Sequence, residues 1–292
     1  FGFFILRKKN PLFLRKKLKT YLFLFVLTTI TKLYSQVFSL YSTSSINDIY
    51  SASSFSPIKI RIAQNGVILL DTENSILVHF SENDTISYGG KSAKFSGLID
   101  PIDITVKGLN VYVLNQASNS ILVFDSRLNH IQTILISNEV ELYPSLIAID
   151  QYENIYIYSS DLNMIYVNDS QQKNFTEFID LNMQNFDFNC ISSMRFSTNG
   201  YLLLLSGCDS TISIFNQYGR LIDTQPNTID GMAISVKRNG AYFIANKKGL
   251  IKYGKDQPKN LFIESNLIDI DYHDKKFIVL TDSLLLRYDF FD

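Results

Sequence analysis

The chain has 292 residues, 46% of them hydrophobic and 19% charged, which excludes both a disordered polymer and a polytopic membrane protein. Its 27 basic and 28 acidic side chains leave a net charge of −1, without the basic footprint that a nucleic-acid partner demands. A domain of this length buries about three quarters of its extended-chain surface, so it needs neither a metal nor a disulfide to fold.

The first segment with a readable pattern holds Arg15, Lys16, Lys17 and Lys19, then the apolar run Tyr21 to Ile30, then Tyr34-Ser35-Gln36. Positive cluster, apolar run and small residue, in that order, are the parts of a secretory signal. The competing reading is an uncleaved membrane anchor, but the run is about half of the roughly twenty residues that cross a bilayer. No Cys follows it to carry a lipid. The first Met is Met164, so residues 1 to about 13 are expected to be sequence from before the true start, or the chain to be a fragment. Residues 1–35 are therefore expected to be an N-terminal extension and signal peptide, and the mature protein to be periplasmic or secreted, with no membrane span.

From residue 56 one pattern recurs: an apolar strand, a tight polar turn and a second apolar strand. The first copy runs Pro57-Ile58-Lys59-Ile60-Arg61-Ile62, Asn65-Gly66, Val67-Ile68-Leu69-Leu70. The others centre on Ile102 to Leu114, Pro144 to Tyr158, Ile191 to Leu205, Met232 to Ile244 and Ile268 to Leu280. Three copies carry Asn-Gly in the turn, a hairpin signal that predicts a type I′ turn with both central residues at positive φ. A third strand follows each pair, and a weaker fourth follows the first five, at Thr85 to Ser87, Ile131 to Ile136, Phe175 to Ile179, Leu221 to Asp223 and Leu261 to Ile263.

The matching positions Ile62, Val106, Ile149, Phe196, Ile234 and Tyr272 lie 44, 43, 47, 38 and 38 residues apart. Four short strands in about forty residues, repeated, are the signature of a propeller blade. The inner strands read as nearly continuous apolar runs because neighbouring blades cover both faces. The sixth copy ends after its third strand, and Val37 to Tyr41 is expected to supply the missing one, since an open ring would leave an unpaired sheet edge. The expected fold is all-β: a six-bladed β-propeller of four-stranded antiparallel blades. Residues 36–55 form the closing strand and linker, and 56–292 the six blades.

The runs PIDITVKGLNVYVLNQASNSILVFDSRLNHIQTI and NGYLLLLSGCDSTISIFNQYGRLI resemble NHL repeats. So does Gly89-Gly90 ahead of Phe95 and Pro101, in the place of a glycine-rich connector. The resemblance spans about residues 56 to 289. It implies the propeller architecture.

Near the starts of the inner strands stand Lys59, Asp103, Ser193, Asp230 and Asp269. Asp103, Asp230 and Asp269 have two readings. They converge as weak candidates for a hard cation such as Ca²⁺, or each accepts a backbone N–H from the next blade and holds the register. Cys190 and Cys208 fall at the same end of the fourth copy, one step off register, as either a disulfide or two buried thiols. The three histidines, His79, His130 and His273, fall at strand ends or turns, none placed as a general base, and no catalytic residue or cofactor is assigned. The leading expectation is a monomeric, non-enzymatic binding or scaffold propeller that presents loops to a protein or glycan partner. The alternative is a Ca²⁺-dependent, lactonase-like hydrolase with its site at the central channel, the activity of gluconolactonase- and paraoxonase-type propellers.

Overall fold

The computed structural model describes residues 37–51, 54–90, 97–136, 142–168, 174–184, 190–254 and 256–291. The expected signal segment, its cleavage point and Phe95 lie outside the described residues. Among the described residues no helix is long and apolar enough to cross a membrane.

Six four-stranded antiparallel sheets stand in a ring as a six-bladed β-propeller. Blade one is Lys59–Ala63, Gly66–Asp71, Ile76–Phe80 and Thr85–Gly89, in that hydrogen-bonded order. Blades two to five start from the inner strands Pro101–Lys107, Pro144–Ile149, Ile191–Phe196 and Ala233–Val236, each followed outward by its next three strands in chain order. Blade six is Leu267–His273, Lys276–Thr281 and Leu284–Phe291, with the N-terminal strand Val37–Ser45 as its fourth member. The blades belong to a compact unit, Leu40–Asp289; residues 37–39 and 290–291 group separately, with the Phe38 and Phe290 rings 5.0 Å apart.

Burial follows the layers of each blade. The second strands are covered on both faces, so Val67 to Leu70 and Leu202 to Leu205 have essentially no exposure. The outer strand His130–Leu135 has one covered face at most, and nearly all of it is exposed. The core is a series of slabs between consecutive blades. Ile60, Leu69, Ile278 and Leu280 fill the slab between blades six and one, and Leu77, Ile104, Val113 and Leu122 that between one and two. Between blades five and six the filling is aromatic: Phe243 lies 5.0 Å from both Tyr272 and Phe277. Burying such side chains stabilises the fold by about 25 cal/mol per Å² of apolar surface.

Three local expectations are corrected. In blades four and five only the glycine of Asn-Gly takes positive φ (Gly200 78°, Gly240 84°), and in blade one neither residue does. The Ser197 N–H donates to the Tyr201 carbonyl at 2.9 Å and the Gly200 N–H to Ser197 at 3.0 Å, a three-residue loop closed by a left-handed glycine rather than a type I′ turn. Among the described turns between first and second strands, both central residues are left-handed only at Asp274-Lys275 in blade six. Gly66 is required for another reason: a Cβ there would stand 2.3 Å from the Phe80 carbonyl oxygen. The fourth strand of blade five is Lys259–Asn260, not residues 261–263. The Asn260 side chain accepts the Phe262 N–H at 2.7 Å and turns the chain away. Finally, the register partner of Phe196 in blade five is Val236, not Ile234, since Phe196 pairs Leu202 as Val236 pairs Tyr242.

Candidate functional site

An inner strand is the free edge of its blade, so its outward N–H groups need acceptors that its own sheet does not supply. The sequence supplies them from the preceding blade. The Ile60 N–H donates to Asp269 at 3.0 Å and the Ile62 N–H to Asp271 at 2.7 Å, both from blade one to blade six. In the same way the Ile147 N–H donates to Asp103 at 3.1 Å and the Tyr272 N–H to the Ser235 hydroxyl oxygen at 2.9 Å. These side chains fall on two rings of equivalent register. The ring nearer the strand starts is Lys59, Asp103, Leu146, Ser193, Ala233 and Asp269. Two residues further on, the second ring is Arg61, Thr105, Ala148, Arg195, Ser235 and Asp271.

Arg61 is the hub of the channel. It is 3% exposed and bridges the two flanking blades, with its guanidinium 2.7 Å from the Asp269 carboxylate and 3.4 Å from that of Asp103. It also donates to the Ile60 carbonyl. Lys59 stands 3.7 Å from Asp103. Burial alone would push the Arg61 proton off, but the three carboxylates of Asp269, Asp103 and Asp271 outweigh it and hold the guanidinium more firmly charged than usual. Asp271 is part-buried at the cavity wall, and loss of solvent pushes its carboxyl up despite Arg61 and the bonds from Ile62 and Ser235.

The three carboxylates considered as a cation site do not meet. Asp103 and Asp269 are buried and joined through Arg61, while Asp230 is an exposed residue at φ 50° in the connection before Ala233. The blade-five counterpart of Asp103 is Ala233, three residues beyond Asp230. Among the described residues no three His, Cys, Asp or Glu side chains form a ligand set. The sulfurs of Cys190 and Cys208 are bonded, with Cα atoms 5.3 Å apart, and the Gly207 N–H donates to the Cys190 carbonyl at 2.8 Å.

Two hollows open where the inner strands end. One, of about 350 Å³, is lined by the ends of all six inner strands and includes the whole second ring. The other, of about 750 Å³, is a groove across blades six, one and two, lined among others by His79, Glu82, Asp84, Arg127, Lys276 and Arg287. His79 is 7% exposed with its Nε2 unpartnered, and burial holds its imidazole below the ordinary histidine range. Arg287 lies 5.0 Å over the Phe80 ring and donates to Ser42 and Ser44 at 3.3 Å, and burial pulls its proton affinity down. His130 opens an outer strand and bonds Thr133; His273, exposed, ends the inner strand of blade six beside Asp274. Arg61, Arg195, Ser235 and Asp271 were not singled out from the sequence. The signal for them is an arginine inside an apolar inner strand, which occurs twice.

No known protein family matches the sequence, and no curated protein matches it. Solved structures do match in fold. Virginiamycin B lyase from Staphylococcus aureus superposes with a TM-score of 0.56 at 12% identity, over 79% of each chain. The WD40 β-propeller domain of Doa1 gives 0.54 at 10% identity, over 86% of this chain and 97% of that one. A protein of unknown function from Bacteroides thetaiotaomicron gives 0.62 at 10% identity, over 88% and 77%. At these identities the likeness is one of fold, and it spans an enzyme and a WD40 domain alike.

Proposed function

We propose that this chain is an exported, NHL-like binding propeller, without catalytic activity, that takes a protein or glycan partner into the groove across blades six, one and two. The observation that carries the reading is how the polar groups are spent. Asp103, Asp269, Asp271 and Arg61 hold one another and the strand edges, so among the described residues these axial charges are engaged in the frame. The groove is wide, lined by both signs of charge and shared by three blades, as suits an extended polar partner. The bonded pair Cys190–Cys208 supports export, since such bonds persist in oxidising compartments.

The test uses the full chain immobilised against envelope proteins and a glycan array. Binding should fall at least tenfold in Glu82→Lys and Arg127→Glu, which reverse groove charges, and hold in Asp161→Lys, on a turn at the far end of blade three. Ca²⁺-dependent turnover of a lactone panel, with a melting temperature that rises with Ca²⁺ and falls with chelator, would overturn the reading in favour of the hydrolase.

A further inference from the structure

Arg195 repeats the position of Arg61 in the opposite blade, four against one, and in the same register: Arg195 pairs Leu203 as Arg61 pairs Ile68. It even repeats the contact to the preceding carbonyl, donating to Met194 at 2.9 Å. What differs is its flanks. Where Arg61 meets Asp269 and Asp103, Arg195 has the corresponding Leu146 and Ala233. Among the described residues no carboxylate pairs with Arg195, and its Nε is buried without a partner.

This guanidinium lines the axial cavity of about 350 Å³. Among the described residues five cationic side chains line that cavity, Arg61, Lys107, Arg195, Lys237 and Arg238, against the carboxylates of Asp271 and Asp274. That excess of three positive charges stands in a chain whose net charge is −1. The opposing charges are largely spent elsewhere. Asp274 sits 3.6 Å from Arg238 on the exposed rim, and Asp271 accepts from Ile62 and Ser235. Lys237 leans over the Tyr253 ring at 5.7 Å. Arg195 and Lys107 carry the uncompensated charge.

We infer that the axial cavity is an oxyanion seat, in which a carboxylate or phosphate group of a small ligand docks on the Arg195 guanidinium, with Lys107 as the second cation. A guanidinium offers two parallel N–H donors that match the paired oxygens of either group. The volume lies within the range of small-ligand pockets, about 300–1,000 Å³. In such a recess, walled by protein, a charge–charge contact is screened far less than on the surface. The seat does not depend on the groove holding a partner.

The test is calorimetric titration of the full chain with inorganic phosphate and, separately, with succinate, against chloride at matched ionic strength. Saturable binding of at least one anion is expected. Arg195→Gln should weaken it at least tenfold and Lys107→Gln several-fold, with Arg220→Gln, on an exposed turn of blade four, unchanged. Arg195→Lys keeps the charge and loses the fork, so an intermediate loss is expected and guards against a folding defect in the first variant. Preference for phosphate identifies a phosphorylated ligand, and preference for succinate a carboxylate. Heats no larger than those with chloride, or an Arg195→Gln protein that binds like the parent, would overturn the seat.

Discussion

Two sides of one channel use the same residue to different ends. Around blades six, one and two, a buried arginine is clamped between Asp269 and Asp103, and those carboxylates also accept N–H groups of the neighbouring strand edges. Around blades three, four and five the positions that correspond to those carboxylates are Leu146 and Ala233, and among the described residues the matching arginine pairs with no carboxylate and donates to the Met194 carbonyl. Blade four has another fastening at the start of its inner strand, the bond between Cys190 and Cys208. The contrast teaches that position in the ring does not assign a role. A guanidinium flanked by carboxylates is part of the frame; one flanked by apolar groups presents its charge to the cavity.

The sharpest way to break this comparison is Arg61→Met. It leaves Asp269 buried without its cation and Asp103 with Lys59 at 3.7 Å, and should cost about 3–5 kcal/mol in urea unfolding. A loss below about 1 kcal/mol would mean that the clamp contributes little. Next comes Cys190→Ser. The bond closes a separation of 18 residues, so its removal should cost about 3 kcal/mol, and a reducing agent should lower the parent's stability but not the variant's.

A smaller effect is expected from Asp271→Asn, and its sign depends on pH. Burial raises the folded carboxyl above its ordinary value of about 3.9. Between those two values the folded state binds more protons than the unfolded, so the parent loses stability as pH rises through that window. Asparagine cannot ionise, and its amide can still accept from Ile62 and donate to Ser235. The variant should therefore gain on the parent from pH 3 to pH 7, by urea unfolding at each pH; an unchanged difference would remove the cause given for the shift. The smallest effect belongs to Arg195→Met, because no buried carboxylate is abandoned. Its change in stability should stay within about 1 kcal/mol. A cost as large as that of Arg61→Met would erase the distinction between the two sides.

Much of the ring was legible residue by residue. The second strands stand where Val67 to Leu70 and its copies predict, since strands covered on both faces are apolar, and the inner strands stand where Lys59 to Ile62 and its copies predict, with polar residues among the apolar ones. The chain also folds its first strand, Val37–Ser45, into the last blade, four residues longer than the segment ending at Tyr41 had suggested. Asp103 and Asp269 were recognisable as the polar exceptions at inner-strand starts. Asp230 misled because the connection into blade five carries an aspartate three residues before the true register position, and spacing alone does not separate a connection from a strand end. Arg61 stands between Ile60 and Ile62 and Arg195 between Met194 and Phe196, where a single charged residue looks like a solvated edge position.

By itself the sequence determined the repeat, the strand order within each blade and the number of blades, because these follow from local alternation, turn residues and a period of about forty residues. Only the tertiary structure decided which arginine is neutralised. The partners of Arg61 are 42 and 208 residues away along the chain, on the two adjoining blades. Whether a carboxylate or a methyl group stands opposite a guanidinium depends on how six sheets register around one axis, and that geometry exists only once the ring is closed.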